Sequence, residues 1–372
     1  MRVAVPTEVM NHEYRVAITP AGVHELVARG HEIIVQAGAG LGSAISDDEY
    51  RAAGARIAAT AEATWSSGEL VLKVKEPVGR EFDYLHQGLV LFTYLHLAAD
   101  RPLTEQLLAS GTTALGYETV QLQSGMLPLL YPMSEVAGCL APQVGAYSLM
   151  KPHGGRGLLV GGIAGVKNPR VVVLGAGTAG QNAVSVALGM GADVTVLDND
   201  LDKLRLVFWR HENRVQGIAS NALTIREEVA RADMVIGAVL VPGARTPKLV
   251  TNEMVAQMKP GSVLVDIAID QGGCFEDSRP TTHGDPTFTV HNSLFYCVTN
   301  MPGAVPNTST WALTNATLPY VVRVAAEGWR KACRANVALA AGLNIWDGRI
   351  IHQGVSQAFP DLPTAALDQA LA

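Results

Sequence analysis

The sequence is poor in cysteine and has no long apolar run, and both absences narrow the kinds of protein it can be. Its four cysteines lie far apart and form no C-x-x-C pair, which favours free thiols in a reducing compartment. No uninterrupted apolar run reaches the roughly 18 residues that a membrane-spanning helix needs, so no membrane partner is expected. The first residues alternate as in a strand and do not resemble a leader. We therefore expect a cytoplasmic protein.

Charge and histidine spacing argue against two further classes of partner. Acidic and basic residues are dispersed and give a net charge of −6, so nothing favours binding to a nucleic-acid backbone. The His-Glu pairs at 24–25 and 31–32 each lack the second histidine of an H-E-x-x-H zinc motif, and no other metal site is visible. With 372 residues, of which 48% are hydrophobic, the chain can bury more than one core. We expect a globular protein of two or three domains.

Glycine, in contrast, is abundant, and one glycine cluster has a spacing with physical meaning. Gly175, Gly177 and Gly180 follow the apolar strand 171–174 and precede a helical stretch, after which a second strand ends at Asp198. The first glycine permits a tight turn, the second lets a pyrophosphate approach the backbone, and the third lets helix and strand pack closely. The pattern therefore predicts a dinucleotide-binding turn with phosphates at the helix N-terminus.

The acidic residue at the end of the second strand bears on which dinucleotide is bound. Asp198 can accept hydrogen bonds from the adenine-side ribose and would repel a 2′-phosphate, which favours NAD over NADP. The alternative is a purely structural strand-turn-helix with a surface aspartate. The basic stretch 203–214 that follows is interpreted as a solvated helix face, although Lys203 could also reach the cofactor.

Strand and helix patterns alternate on both sides of this motif, which predicts two α/β units. Residues 1–130 and 306–372 are expected to form a discontinuous substrate and catalytic domain, and residues 131–305 a Rossmann NAD-binding domain. A helix with Ser134 as its N-cap would join them, and a later helix is expected to break at Pro319. The expected fold class is α/β, with two doubly wound domains facing each other across a cleft.

Four charged residues are expected near the carboxyl ends of strands, where open parallel sheets bind ligands. Lys75 and His96 end the third and fourth predicted strands, Asp270 ends the predicted strand 263–269, and Arg15 lies in the loop after the first strand. Each has an ordinary structural explanation, as a solvated charge, a structural histidine or a turn-forming aspartate. Their common position beside a dinucleotide site nevertheless favours a function for the set.

Several segments together resemble the alanine dehydrogenase / transhydrogenase alpha-subunit family. They are RVAVPTE at the N-terminus with Arg15-Val16-Ala17, LKVKEP at 72–77, YLHL at 94–97, PMSEVAG at 132–138, GAGTAG at 175–180, VDIAIDQGG at 265–273 and VTNMPGAVP at 298–306. This set is far more specific than the glycine motif alone. It implies reversible NAD-dependent oxidative deamination of L-alanine to pyruvate and ammonium, in an assembly of six identical chains.

The resemblance also implies roles for single residues. Arg15 and Lys75 would hold the substrate carboxylate, while His96 and Asp270 would be the catalytic acid/base residues. An imidazole can accept and return protons near neutral pH, as this reaction requires. The positions expected to contact NAD are Ser134, Gly175, Gly177, Thr178, Ala179, Gly180, Asp198, Lys203, Ser220, Val239, Leu240, Ile267, Asp270, Arg279, Val298, Asn300 and Met301.

Other functions remain open at this point. The soluble part of a proton-pumping transhydrogenase and a saccharopine-forming enzyme are similar in architecture, but the set Arg15, Lys75 and His96 suits a small oxo acid. A regulatory protein that senses NAD without turnover is the alternative outside enzymes, and the two proton-handling candidates argue against it. Oxidation of NADH in the presence of pyruvate and ammonium distinguishes these functions.

Overall fold

Two sheets organise the chain, and each belongs to a separate unit. The structure is a computed structural model that describes residues 1–239 and 246–372. Unit 1 consists of Met1–Met133 and Val305–Ala372, and unit 2 of Ser134–Ala304. That these units act as a substrate domain and an NAD-binding domain, with the predicted boundaries, stays a prediction.

Strands and helices alternate along most of the chain, as the β/α pattern predicts. Within the described ranges the strands are β1 (Arg2–Val5), β2 (Glu32–Gln36), β3 (Arg56–Ala58), β4 (Leu70–Leu72), β5 (Val90–Thr93), β6 (Thr113–Gly116), β7 (Arg170–Leu174), β8 (Asp193–Asp198), β9 (Gln216–Ala219), β10 (Met234–Gly237), β11 (Val263–Asp266), β12 (Thr287–Val290), β13 (Ser293–Tyr296), β14 (Leu343–Trp346) and β15 (Arg349–Ile350). The α-helices in the same ranges are α1 (Pro20–Ala28), α2 (Asp47–Ala52), α3 (Ala61–Ser67), α4 (Arg101–Ser110), α5 (Tyr131–Ser148), α6 (Thr178–Gly189), α7 (Leu201–Arg210), α8 (Ala222–Arg231), α9 (Asn252–Ala256), α10 (Pro306–Glu327), α11 (Trp329–Ala335), α12 (Val337–Ala341), α13 (Gln353–Ala358) and α14 (Leu367–Leu371).

Unit 1 is built on an eight-stranded sheet with the order β15-β14-β6-β5-β4-β1-β2-β3. Strands β1 to β6 are parallel, and only β14 and β15 pair antiparallel to their neighbours. The chain proceeds outward from β1 to one side and from β4 to the other, so the loops after β1 and β4 flank the switch point of the sheet. Because β14 pairs with β6, the C-terminal tail returns to the first unit, as predicted.

Unit 2 is built on a seven-stranded sheet with the order β12-β13-β11-β10-β7-β8-β9. Every neighbouring pair is parallel except β12 with β13. The order reverses between β7 and β10, and the glycine-rich turn that follows β7 therefore lies at the switch point, where such sheets bind dinucleotides. The two sheets confirm the predicted α/β class with doubly wound units.

Local sequence signals set several helix ends, and two of the predicted signals were wrong. α1 begins as predicted, because the Thr19 side chain accepts a hydrogen bond from the Gly22 N–H and Pro20 is the first helical residue. Ser134 is not an N-cap; α5 starts at Tyr131, where Pro132 suits the first turn. α10 continues through Pro319, since Thr317, Val321 and Val324 are buried on its inner face and packing outweighs the lost hydrogen bond.

The short strand β3 was also missed by the sequence prediction. Only three residues, Arg56–Ala58, form it, and their pattern is too short to show a period of two. β3 pairs in parallel with β2 at the sheet edge, through registers such as Val35 opposite Ile57. Pairing with β2, and not local propensity, therefore determines that this segment forms a strand.

We expect the substitution Gly237→Ala to destabilise the sheet of unit 2. A Cβ atom at this position of β10 would lie 2.1 Å from the Sγ atom of buried Cys274 and 3.0 Å from the ring of Phe275. Overpacking of this kind costs about 1–3 kcal/mol, which should lower the urea midpoint. Gly189→Ala is the matched control, because a Cβ atom at that position in α6 would meet no described residue outside the helix backbone within 4 Å. The change also replaces glycine by a better helix former. Equal urea midpoints for the two variants would contradict this account of the packing.

Candidate active site

The turn after β7 can be made only by glycines at two of its positions. Gly175 has φ +101°, and a Cβ atom there would lie 2.7 Å from the carbonyl oxygen of Ala238. A Cβ atom on Gly180 would lie only 1.8 Å from the Gly175 carbonyl oxygen. The first position therefore needs a backbone conformation that favours glycine, and the second lets α6 pack directly against the turn.

Gly177 has a different surrounding, which suits a bound phosphate. It is the residue before α6, it is partly exposed, and a Cβ atom built on it meets no atom of the residues 1–239 and 246–372 within 4 Å. Because the N-cap residue is this glycine, it brings no side chain to the N-terminus of α6. A side chain at this position would occupy the space in front of the helix N–H groups, whereas glycine leaves that space for an anion.

The side chain of Asp198 is hydrogen-bonded to the same turn. It is the last residue of β8 and is 9% exposed. Its Oδ2 atom accepts a hydrogen bond from the Ala176 N–H at 2.6 Å, and its Oδ1 atom accepts from the Asp200 N–H at 2.8 Å. A carboxylate oxygen can accept more than one hydrogen bond, so ribose hydroxyls could still bind. The glycine turn and the fixed carboxylate together fit an NAD molecule.

The remaining predicted cofactor positions are distributed over several loops of unit 2. Ser220 follows β9, Val239 follows β10 and Ile267 follows β11; Val298 comes two residues after β13. Ser220 donates its N–H to the Asp198 carbonyl oxygen at 3.0 Å, which fixes the start of its loop beside β8. These positions share the carboxyl edge of the sheet, as the strand pattern predicts. Their contact with NAD stays a prediction.

The other members of the set lie in helices, turns and loops. Thr178 and Ala179 are the first residues of α6, Ser134 lies within α5, and Asn300 has φ +62° beside buried Met301. Lys203 is exposed on α7, with its Nζ atom 3.6 Å from Asp200, and exposed Arg279 lies over the Phe288 ring at 4.3 Å. Leu240 lies outside the described residues.

Asp270 does not end a strand, contrary to the prediction. β11 stops at Asp266, and Asp270 is exposed in the short 3-10 turn Ile269–Gln271. The fully buried Asp266 carboxylate accepts hydrogen bonds from the backbone N–H groups of Ala268 and Cys274. Burial raises the pKa of Asp266, against the opposing effect of these bonds and of one from Ser278. The strand ends at Asp266, whose side chain holds the loop that follows by accepting these N–H groups.

In unit 1, Arg15 is a buried cation that already has an acidic partner. It is 3% exposed, and its Nε and Nη2 atoms donate to the two carboxylate oxygens of Glu13 at 2.7 and 2.5 Å. Its Nη1 atom lies 3.1 Å from the Sδ atom of Met133. Burial alone would lower the pKa of Arg15, but Glu13 raises it above its ordinary value. The guanidinium therefore stays charged and is held in one orientation.

Lys75 lies in the loop after β4, not within the strand as predicted. β4 ends at Leu72, and Lys75 is half-buried. Its carbonyl oxygen accepts a hydrogen bond from the Thr93 hydroxyl at 2.9 Å, which ties it to the end of β5. Lys73, two residues earlier, is fully buried and forms ion pairs with Glu8 at 3.0 Å and Glu81 at 2.7 Å. Lys75, unlike Lys73, is accessible to a ligand.

His96 also lies beyond its strand, in an unusual backbone conformation. β5 ends at Thr93, and His96 has φ +50°, which side-chain-bearing residues adopt infrequently. The Glu118 carboxylate accepts the His96 N–H at 2.7 Å and the Leu95 N–H at 3.2 Å. The exposed imidazole stacks on the Tyr94 ring with centroids 5.9 Å apart. The hydrogen bonds to Glu118 thus stabilise the unusual backbone conformation in which the imidazole is exposed.

Sequence reasoning missed the acidic residues that hold these candidates. Glu13 accepts hydrogen bonds from the Arg15 guanidinium. Glu8 accepts the backbone N–H of Lys75, and Glu118 accepts the backbone N–H of His96. Glu8 is part of the quoted RVAVPTE segment and Glu13 precedes Arg15 by two residues, so their proximity was a usable signal. No local pattern indicates that Glu118 bonds to residues more than 20 positions away.

The described residues offer neither a cluster of metal ligands nor a helix suited to a membrane. Among residues 1–239 and 246–372, no three or more histidine, cysteine, aspartate or glutamate residues are grouped so that they could hold a metal ion. In the same ranges, no helix has both the length and the apolar character needed to cross a membrane.

Comparison with known proteins places the chain in a family. Residues 4–137 match the model "Alanine dehydrogenase/PNT, N-terminal domain", and residues 141–353 match "Alanine dehydrogenase/PNT, C-terminal domain". The alanine dehydrogenase of Mycolicibacterium smegmatis is 61% identical over 372 residues, which is 100% of both chains. The chain belongs to the alanine dehydrogenase/PNT family. The resemblance seen in the sequence is thereby confirmed.

Further members of this family show the same likeness. The alanine dehydrogenase of Mycobacterium tuberculosis is 60% identical over 356 residues, covering 96% of each chain. A solved structure of L-alanine dehydrogenase matches with a TM-score of 0.94 and 48% identity, covering 97% of this chain and 99% of that one. A transhydrogenase from Sinorhizobium meliloti matches with a TM-score of 0.80 and 25% identity, over 95% and 99% of the two chains.

For this family member we expect Asp198→Asn to weaken the preference for NADH over NADPH. The variant keeps one oxygen acceptor for the turn but loses the negative charge that repels a 2′-phosphate. Charge-assisted hydrogen bonds contribute about 1.5–3 kcal/mol, so the ratio of the two dissociation constants should shift about tenfold to hundredfold. Fluorescence titration with each reduced cofactor measures that ratio.

Asp202→Asn is the control for this titration. Asp202 is in the first turn of α7, its side chain is 85% exposed, and its replacement removes the same charge. The ratio should stay within about twofold in this variant, because screening reduces the influence of an exposed charge. A wild-type protein that binds NADPH as tightly as NADH would contradict the role assigned to Asp198.

Proposed function

We propose that this protein is an NAD-dependent dehydrogenase that converts L-alanine, water and NAD to pyruvate, ammonium and NADH, and catalyses the reverse reaction. The observation that carries this conclusion is the 61% identity, over the full length of both chains, to the alanine dehydrogenase of Mycolicibacterium smegmatis. NAD is the cofactor, and it supplies the acceptor for the hydride that leaves the substrate Cα atom. The residue roles that follow are part of the proposal.

Arg15 and Lys75 bind the substrate carboxylate in this proposal. Both follow strands that flank the switch point of the unit 1 sheet, β1 and β4. Arg15 keeps its charge because Glu13 compensates the cost of burial, and Lys75 is accessible. Two cations that hold a carboxylate by charge-assisted hydrogen bonds would fix the orientation of the Cα–H bond.

His96 transfers protons at the substrate nitrogen and at water. It would accept a proton from the alanine ammonium group, because hydride can leave Cα only when the nitrogen has a lone pair. It would release this proton to solvent and then take a proton from the water that adds to the iminium carbon. It would return that second proton to the amine nitrogen, and ammonia would leave as the carbonyl forms, with the hydroxyl proton converting it to ammonium. Asp270, exposed in the turn after β11, is proposed as the second acid/base group. That the two units bring these groups to one substrate stays a prediction.

The cofactor-binding part of the proposal rests on unit 2. The turn of Gly175, Gly177 and Gly180 would hold the pyrophosphate, and Asp198 the adenine-side ribose. Their support is the open space at Gly177 and the hydrogen bond that joins Asp198 to the turn. Among the other predicted contact positions, Ser220, Val239, Ile267 and Val298 follow strands of the same sheet at its carboxyl edge.

Assembly and location are proposed in addition. We keep the prediction of a homo-hexamer, for which the half-exposed apolar side chains of Leu122 and Met126 offer an interface. A mass of about six times 39.3 kDa in light scattering would agree with it. We also keep the prediction of a cytoplasmic enzyme, supported by the free thiols of all four cysteines.

The transhydrogenase-like alternative has weaker support than alanine dehydrogenase. Its solved relative is 25% identical to this chain, whereas the alanine dehydrogenases named above are 48% to 61% identical. A saccharopine-forming enzyme or a protein that senses NAD without turnover has no specific observation in its favour. One assay separates all of them: the purified protein should oxidise NADH only when pyruvate and ammonium are both present. A panel of other 2-oxo acids then defines its specificity.

We expect His96→Ala to lose about 10²- to 10⁴-fold in turnover while NADH still binds, because general acid/base catalysis contributes about that factor. His86→Ala is the matched control; His86 is also exposed and precedes the same strand, β5, at its opposite end. Pre-steady-state absorbance at 340 nm measures the chemical step in each variant. The assignment is wrong if His96→Ala keeps more than about a tenth of the wild-type turnover with chemistry rate-limiting in both.

A further inference from the structure

One buried carboxylate, that of Glu8, links the loop that carries Arg15 to the loop that carries Lys75. Glu8 lies in the loop after β1, which also carries Arg15. Its Oε1 atom accepts the Val74 N–H at 2.6 Å, and its Oε2 atom accepts the Lys75 N–H at 3.4 Å. The loops are more than 60 residues apart in sequence, so this side chain fixes a relation that the chain connectivity leaves undetermined.

The same carboxylate belongs to a cluster of three buried charges. The Lys73 Nζ atom lies 3.0 Å from Glu8 Oε2 and 2.7 Å from Glu81 Oε1. The side chain of Lys73 is fully buried, and those of Glu8 and Glu81 are 2% and 5% exposed. Glu81 accepts the Val78 N–H at 3.0 Å, so it anchors the far end of the same segment. The cluster therefore lies under the loop that presents Lys75.

Burial of the Glu8 carboxylate has an unfavourable desolvation free energy. Burial alone would lower the pKa of Lys73, but the two carboxylates raise it, so the ammonium stays charged. Burial raises the pKa of Glu8, although Lys73 and the Val74 N–H oppose the increase. One ammonium is shared by two carboxylates, and a buried ion pair gives little net stability after desolvation. A role in positioning explains Glu8 better than a gain in stability.

We propose that Glu8 is a positioning residue for substrate binding: it places the Lys75 backbone relative to the loop of Arg15, so that both cations reach one substrate carboxylate. This inference rests on the proposed function, in which Arg15 and Lys75 bind that carboxylate. Glu8 itself is buried and acts through the backbone of Lys75.

Glu81 provides a comparison that separates positioning from general support of the fold. Glu8→Gln and Glu81→Gln each remove one negative partner of Lys73. Of these two residues, Glu8 accepts from the Lys75 backbone and Glu81 accepts from Val78. The amide of a glutamine at position 8 would direct a donor either towards the Val74 N–H or towards the Lys75 N–H and the Lys73 Nζ atom. A structural role predicts similar kinetics for both variants, whereas a positioning role predicts different kinetics.

The experiment measures steady-state reduction of pyruvate by the full-length enzyme, with NADH and ammonium saturating. Glu8→Gln should raise the KM for pyruvate about tenfold to hundredfold, since small misplacements of binding groups have effects of this size. Its kcat should stay within about threefold and its NADH dissociation constant should not change. Glu81→Gln should leave the KM for pyruvate within about twofold of the wild type. Lys75→Ala is measured beside them.

The outcomes distinguish the inference from the function on which it rests. A normal KM in folded Glu8→Gln, or an equal rise in both glutamine variants, overturns the positioning role while Lys75→Ala still raises KM. A Lys75→Ala variant with normal KM overturns the carboxylate-binding assignment, and the positioning role with it. If Glu8→Gln does not fold, Glu8→Asp replaces it, because aspartate keeps the charge for Lys73 but is one methylene too short to reach the loop; the same comparison with Glu81→Gln then decides.

Discussion

Backbone N–H groups in the loops beyond the ends of parallel strands need acceptors, and in this protein acidic side chains accept several of them. Glu8 accepts from the segment after β4 and Glu118 from the segment after β5. In unit 2, Asp198 accepts from the turn after β7 and Asp266 from the loop after β11. A buried N–H without an acceptor costs about 1–3 kcal/mol, so these carboxylates determine where the loops can lie.

The candidate functional residues depend on these four carboxylates. Lys75 and His96 each donate a backbone N–H to one of them, and the glycine turn donates through Ala176. Asp266 holds the loop in which Asp270 lies, by accepting from residues on both sides of it. Loops carry the chemistry in open α/β sheets, and precise chemistry requires that they be rigid. Side chains that accept from the backbone provide this rigidity, and Asp198 is in addition proposed to bind the ribose.

Much of this architecture could be predicted, because the relevant signals are local. The glycine spacing at 175–180 predicted the strand-turn-helix, and the Thr19-Pro20 pair predicted the start of α1. The apolar runs predicted most strands of both sheets. The family was recognisable because several motifs occur in one order along the whole chain, and the matches to both family models confirm it.

The errors have a common physical origin in contacts between distant residues. The strands before Lys75 and His96 end earlier than predicted, and N–H groups that follow them are accepted by Glu8 and Glu118, which lie far away in sequence. Pro319 does not interrupt α10, because buried residues of that helix lie both before the proline, at Thr317, and after it, at Val321 and Val324. Neither effect is encoded within a short window of sequence, so neither the loop geometry nor the roles of Glu8 and Glu118 followed from the pattern.

Transfer of hydride from the Cα atom of alanine to NAD is the central claim, and isotope transfer tests it most directly. L-alanine that carries deuterium at Cα should be incubated with NAD and the purified protein, and the products analysed by mass spectrometry. The account predicts NADH with one deuterium at nicotinamide C4, together with equal amounts of pyruvate and ammonium. NADH formed without deuterium, or no pyruvate although NAD binds, would contradict it.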